Sequence, residues 1–255
     1  MRKMIICEYK QSFIMISQHD HAKISGEIAQ NWNDDFFYGI DKKEEVVLAA
    51  YEHDRGWIDL DAAPLWNDQH QIPYSFVDFP IEEKTTHYKT GIDEVEKMNK
   101  YAGLLCSLHF ASFFEKETNP IGQQFLKQEI KRKHYLLKEL AIDEKDKNLK
   151  YHLNILRFCD NLSLYICLNK PGVKKLDEHP FFRNGFPQLF PFANNQHIHA
   201  QWTNQVTVSL SLSPLKKELQ VQLVLKEVKK EDIKVNGLVR AYTDTPSSIR
   251  TVTFI

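Results

Sequence analysis

The sequence predicts a mainly α protein, a helical bundle with a β-rich hairpin ahead of it and an antiparallel β region behind it. Two observations carry this expectation. Apolar residues recur at intervals of three and four through most of residues 18 to 169, the period of helices with one buried face. Alternation at every second residue is confined to the two ends, as strands require. Composition permits a full core: 42% of the 255 residues are hydrophobic and 26% charged, which excludes disorder for the bulk of the chain.

Residues 4 to 17 read as two short β runs around a polar Tyr-Lys-Gln turn. A first helix is expected over 18 to 32, where Ile24, Ile28 and Trp32 recur, and a second over 42 to 54, carried by Val46, Val47, Ala50 and Tyr51. The stretch 57 to 90, with Pro64, Pro73 and Pro80, is expected to be an aromatic loop. Trp57, Trp66, Tyr74 and Phe76 point first to packing over a helix pair. The alternative is a lid that stacks on a ring, with Asp59, Asp61 and Asp68 as polar handles.

Further helices are expected at 92 to 115, 121 to 140 and 147 to 169. After a Pro- and Phe-rich segment at 171 to 193, alternation at 206 to 212 and 219 to 225 around Ser213-Pro214-Leu215-Lys216 predicts an antiparallel hairpin. Short strands are expected at 238 to 243 and 249 to 255. The chain thus divides into an N-terminal hairpin at 1 to 17, a helical domain at 18 to 170, and a linker with a β-rich region at 171 to 255. The N-terminal hairpin is expected to join the C-terminal sheet, which makes the β part an appendage of one domain; a separate small C-terminal domain is the alternative.

Several function classes fall away. The formal net charge is -1, from 33 Lys plus Arg against 34 Asp plus Glu, so no basic footprint for duplex nucleic acid is present. The nine glycines are too widely spaced for a dinucleotide fingerprint, a P-loop or a nucleophile elbow. No apolar run approaches the roughly 20 residues of a membrane helix, and the basic N-terminus lacks the apolar length of a signal peptide. The four cysteines form no C-x-x-C pair and sit among apolar neighbours, as reduced core thiols do. A cytoplasmic protein without membrane partners is expected, and a homodimer stays open.

Chemistry is concentrated in polar residues on apolar faces. His21 lies three and seven residues before Ile24 and Ile28, His53 and Asp54 end the second helix ahead of Gly56, and Leu105, His109 and Phe113 share one stripe. Asp160 sits four residues after Leu156 and four before Leu164. An ionised carboxylate on so apolar a face costs several kcal/mol unless it is compensated. A divalent cation compensates it directly. Imidazole with carboxylate suits Mn, Fe, Zn, Ni or Co. His197 and His199 form a second pair on an expected strand, with no third ligand in view.

His21, the doublet His53-Asp54 followed by Arg55-Gly56, and Asp160 within C-D-N-L-S-L resemble the H, HD and D signature of the HD-domain metal-dependent phosphohydrolases. The resemblance covers 18 to 169 and implies an HD-type helical bundle with one or two divalent ions on His21, His53, Asp54 and Asp160. His109 stands where two-metal members carry extra histidines, and Asp54 is then the expected bridge. The implied reaction is hydrolysis of a small-molecule phosphoester, a nucleotide among the candidates, with Asp54 at the reacting centre and Arg55 or Lys23 neutralising the phosphate. A di-iron oxygenase of the same type and a non-catalytic metal- or ligand-binding regulator are the alternatives.

Overall fold

The structure, a computed structural model, describes residues 4–58 and 64–255. Asp59 and Asp61, two of the expected lid handles, lie outside them. The chain opens with strands β1 (Met4–Glu8) and β2 (Ser12–Ser17), then helices α1 (Gln18–Gln30) and α2 (Lys43–Glu52). A two-residue pair, β3 (Trp66–Asn67) and β4 (Ile72–Pro73), precedes α3 (Ile81–Met98), α4 (Lys100–Ala111), α5 (Pro120–Glu139) and α6 (Lys147–Leu168). The remainder is β5 (Ala200–Trp202), β6 (Thr207–Leu210), β7 (Leu219–Lys229), α7 (Lys230–Asn236), α8 (Leu238–Asp244) and β8 (Ser248–Phe254).

The mainly α bundle is overturned. Helix makes up 53% and strand 18%, and a six-stranded sheet runs in the order β1-β2-β7-β8-β6-β5. β2 pairs antiparallel with β7, so strands from both ends of the chain share one sheet. That sheet is a structural layer of the core rather than an appendage. Phe13 to Ile16 in β2 are all buried, which a strand achieves only with cover on both faces. Ile14 and Ile16 enter the main core with α1, α2, α4 and α6. Phe13 and Met15 point the other way, into a smaller core closed by Ile233, Leu238 and Ala241 of α7 and α8. β7 serves both: Val221, Leu223 and Leu225 face the main core, and Val228 the second.

The C-terminal expectations need further correction. β6 and β7 form no hairpin, because β8 lies between them, antiparallel to β7 and parallel to β6. The connecting segment leaves the sheet to bond the end of α1, with Asn33 N–H donating to Pro214 C=O at 2.8 Å and Lys216 N–H to Asn31 C=O at 2.9 Å. The strand expected at 238 to 243 is α8, whose buried Leu238 and Ala241 have helical spacing. The linker at 171 to 193 is core: Phe182, Phe186 and Phe190 are buried, and Phe158 packs on the last two with centroids 4.9 and 5.7 Å away.

In the middle of the chain, helix begins at Ile81, inside the expected aromatic loop. The expected helix at 92 to 115 is two, divided at Asn99. Asn99 is extended, and its side chain accepts from the Tyr101 and Ala102 amides as the N-cap of α4. Trp57 is buried, and Trp66 packs edge-on to Phe13. Among the described residues no helix is long and apolar enough to cross a membrane.

Gly56 does not terminate α2, which ends four residues earlier. It is needed for a backbone crossing. A Cβ at Gly56 would lie 2.1 Å from the His87 carbonyl oxygen, and one at Gly91 would lie 2.5 Å from the Gly56 nitrogen. Both obstacles are main chain, so no side chain can swing aside. Gly56→Ala is expected to lose about 1–3 kcal/mol of unfolding free energy in urea titration. An unchanged midpoint would show that the crossing is loose.

Candidate metal centre

Four elements bring five polar side chains to one buried point. His21 comes from the first turn of α1, His53 and Asp54 from the end of α2, His109 from α4 and Asp160 from the middle of α6. All five residues are buried. Their neighbours on each helix, among them Ile24, Ala50, Leu105 and Leu156, are buried as well. Packing of the apolar stripes therefore carries the polar residues inward with them.

The distances define a cluster. His21 Nε2 lies 2.8 Å from Asp54 Oδ2 and 3.7 Å from Asp160 Oδ1. His53 Nε2 lies 3.6 Å from Asp54 Oδ2 and 3.5 Å from Asp160 Oδ1. His21, His53 and Asp160 form a group that can hold a metal ion, the one such group of three found among the described residues. Asp54 adds a carboxylate beside it. His109 stands further out, its Nε2 3.8 Å from the other Asp160 oxygen, Oδ2. Asp160 is thus the carboxylate between the two histidine sides, where the sequence pointed to Asp54.

The donor set fits a cation because of one atom. His53 Nδ1 lies 2.9 Å from the Ala50 carbonyl oxygen, which can only accept, so Nδ1 carries the proton. In the neutral ring Nε2 is then a bare lone pair. It is buried without a hydrogen-bond partner and faces two carboxylate oxygens at contact distance. Three electron-rich atoms in that arrangement require a proton or a metal ion among them.

The ionisation pattern is consistent with this. Burial disfavours a charged His53, but Asp54 and Asp160 outweigh it and push its pKa up to about 9. Burial likewise opposes the Asp160 carboxylate, yet the three histidines hold it down to about 2, and Asp54 is also lowered. Burial lowers His109 to about 4, which leaves a neutral imidazole at pH 7.

Outer contacts fix the ligands in place. Ser163 Oγ donates to the Asp160 carbonyl at 2.8 Å. Its oxygen then accepts the Nδ1–H of His21 at 2.6 Å and turns His21 Nε2 toward the cluster. Ser25 joins at 2.8 Å from Ser163. The Trp57 indole N–H donates to Asp54 Oδ1 at 3.0 Å, leaving Oδ2 for the centre. Neither serine stands out in the sequence, and Trp57 reads there as packing or lid rather than as a donor to the site. The serines' signal is position: Ser25 lies four residues after His21, and Ser163 three after Asp160.

The other predicted site residues lie elsewhere. Lys23 is exposed and paired with Asp20 at 3.1 Å. Arg55 is held by Glu52 at 3.0 Å and Glu94 at 2.7 Å. His197 and His199 are exposed ahead of β5, and His197 Nδ1 donates to the Phe186 carbonyl at 2.7 Å. A family model described as a protein of unknown function (DUF3891) matches residues 4–230. No curated protein and no solved structure matches the chain.

Two outcomes follow from the protonation and the outer contacts. At pH 7 metal uptake must displace the His53 proton, so apparent affinity should rise by about tenfold per pH unit until pH reaches about 9. Calorimetry in buffers of different ionisation enthalpy reads the released proton, and a pH-independent affinity would contradict the assignment. Ser163→Ala should weaken metal binding by about 10–100-fold without loss of fold. Unaltered affinity would remove Ser163 from the site.

Proposed function

The chain belongs to the DUF3891 family, and from that premise and the geometry of the centre we propose that it is a metal-dependent phosphohydrolase acting on a small phosphoester. The observation that carries the reading is His53 Nε2, buried without a hydrogen-bond partner 3.6 Å from Asp54 Oδ2 and 3.5 Å from Asp160 Oδ1. The reading rests on this ligand set, not on the overall architecture.

His21, His53, Asp54 and Asp160 would hold one divalent ion, with Mn, Fe, Zn, Ni and Co matching the mixed nitrogen and oxygen donors. His109 and Asp160 Oδ2 offer donors for a second. Such an ion supplies a Lewis acid for a phosphoryl oxygen and lowers the pKa of water toward ~7. The protein's own part is orientation. Ala50 and Ser163 fix the two imidazoles, Trp57 fixes Asp54, and the buried helix faces exclude bulk water. Access is narrow: Asp160, with 12% of its side chain exposed, is the most open of the ligands. A small substrate suits that opening.

The test is elemental analysis of protein purified without chelator, beside a His53→Ala, Asp54→Ala double variant, with chromogenic phosphoesters and nucleotides assayed in air and under anaerobic conditions. Wild type should carry a transition metal and hydrolyse at least one ester independently of oxygen. The double variant should lose the metal and at least about a hundredfold in rate. Equal metal in both proteins would remove the site. Metal without hydrolysis would favour a regulatory protein, and oxygen-dependent turnover an oxygenase.

A further inference from the structure

We propose that Arg157 is the anion anchor of this centre, its guanidinium binding the phosphate group of substrate and product. Arg157 lies three residues before Asp160 on α6, so the two share a helix face. Its Nη2 donates to the Leu108 carbonyl at 3.3 Å, next in sequence to His109. The guanidinium therefore stands between the two helices that supply Asp160 and His109.

Its charge has no ion-pair partner among the described residues. Arg157 is half-buried, yet among the described residues no carboxylate lies within 4.0 Å of it. Arg55 and Lys23 are both held in ion pairs. The acidic groups whose fields reach Arg157 are Glu115 and Asp160, and burial outweighs both in lowering its pKa. A partly desolvated guanidinium without a carboxylate has unused donors in a planar fork, the geometry that matches phosphate oxygens.

Charge arithmetic gives it a task. One divalent ion is neutralised by the Asp54 and Asp160 carboxylates, so a phosphate dianion meets a centre of no net charge. Arg157 restores an attractive field. Asp160, on the same face of α6, is the ligand most open to solvent. Side-chain exposure is 12% at Asp160 against 7% at Asp54, 3% at His109 and 1% at His21 and His53. The exposed ring of Phe113 lies edge-on to His109 at 4.8 Å.

The inference rests on the phosphohydrolase reading for the identity of the anion, and the experiment separates the two. Metal-loaded wild type, Arg157→Gln and Arg157→Lys are compared for metal content, affinity for inorganic phosphate by calorimetry, and kcat and KM with p-nitrophenyl phosphate. Arg157→Gln should keep its metal while phosphate affinity falls and KM rises by about 10–100-fold; Arg157→Lys should lie between it and wild type. On the unaltered protein, phosphate should slow phenylglyoxal labelling of Arg157, a readout independent of whether a variant folds. Phosphate affinity and KM within twofold of wild type in Arg157→Gln would overturn the assignment, as would labelling indifferent to phosphate. Phosphate binding that depends on Arg157 in a protein that hydrolyses no ester would uphold the anchor and overturn the phosphohydrolase reading.

Discussion

A single imidazole nitrogen, buried between two carboxylates, is the constraint on which the centre depends. The Ala50 carbonyl holds the His53 proton on Nδ1, so in the neutral ring Nε2 faces Asp54 and Asp160 as an acceptor facing acceptors. Relocating either carboxylate to solvent would relieve the conflict, but Asp54 is tied by the Trp57 indole N–H, and Asp160 sits mid-helix between the buried Leu156 and Leu164. The strain is therefore resolved by positive charge, from a proton when the metal is absent and from a metal ion when it is present.

The rest of the fold keeps that point rigid. α6 lies against α1, α2 and α4, and its other neighbours include Phe186 and Phe190, whose burial contributes about 1.5–3 kcal/mol each. Behind α1 the sheet supplies Ile14, Ile16, Leu223 and Val252 to the same core. The backbone crossing at Gly56 and Gly91 sets where the turn after α2 runs, and so where Asp54 points. Ligands carried on four separately packed elements move little relative to one another, as a preorganised site requires.

The centre was more legible in the sequence than the architecture around it. His21, His53, Asp54, His109 and Asp160 stood out because each interrupts an apolar stripe of helical period, and packing stripes face to face brings the interruptions together. Ser25 and Ser163 occupy the same stripes, but they are small and neutral, and only their spacing from His21 and Asp160 marked them. Arg157 showed only as a charge near Asp160; its lack of a carboxylate partner is a property of three-dimensional distance. Sheet order was hidden for a different reason. Alternation reports that a strand has two faces and says nothing of its neighbour, so β8 entering between β6 and β7 left no trace. The α8 segment was misread because its Leu, Val and Tyr suit strands as well as helices. The apolar continuity of β2, buried on both faces, was the clue that the sheet is interior.

The most direct measurement is anomalous diffraction at the metal's absorption edge from crystals of the metal-loaded protein. The account predicts a peak about 2.0–2.3 Å from His21 Nε2, His53 Nε2 and an oxygen of Asp160. An ion bound elsewhere on the chain, with a proton shared between His53 Nε2 and the carboxylates under the same conditions, would contradict it.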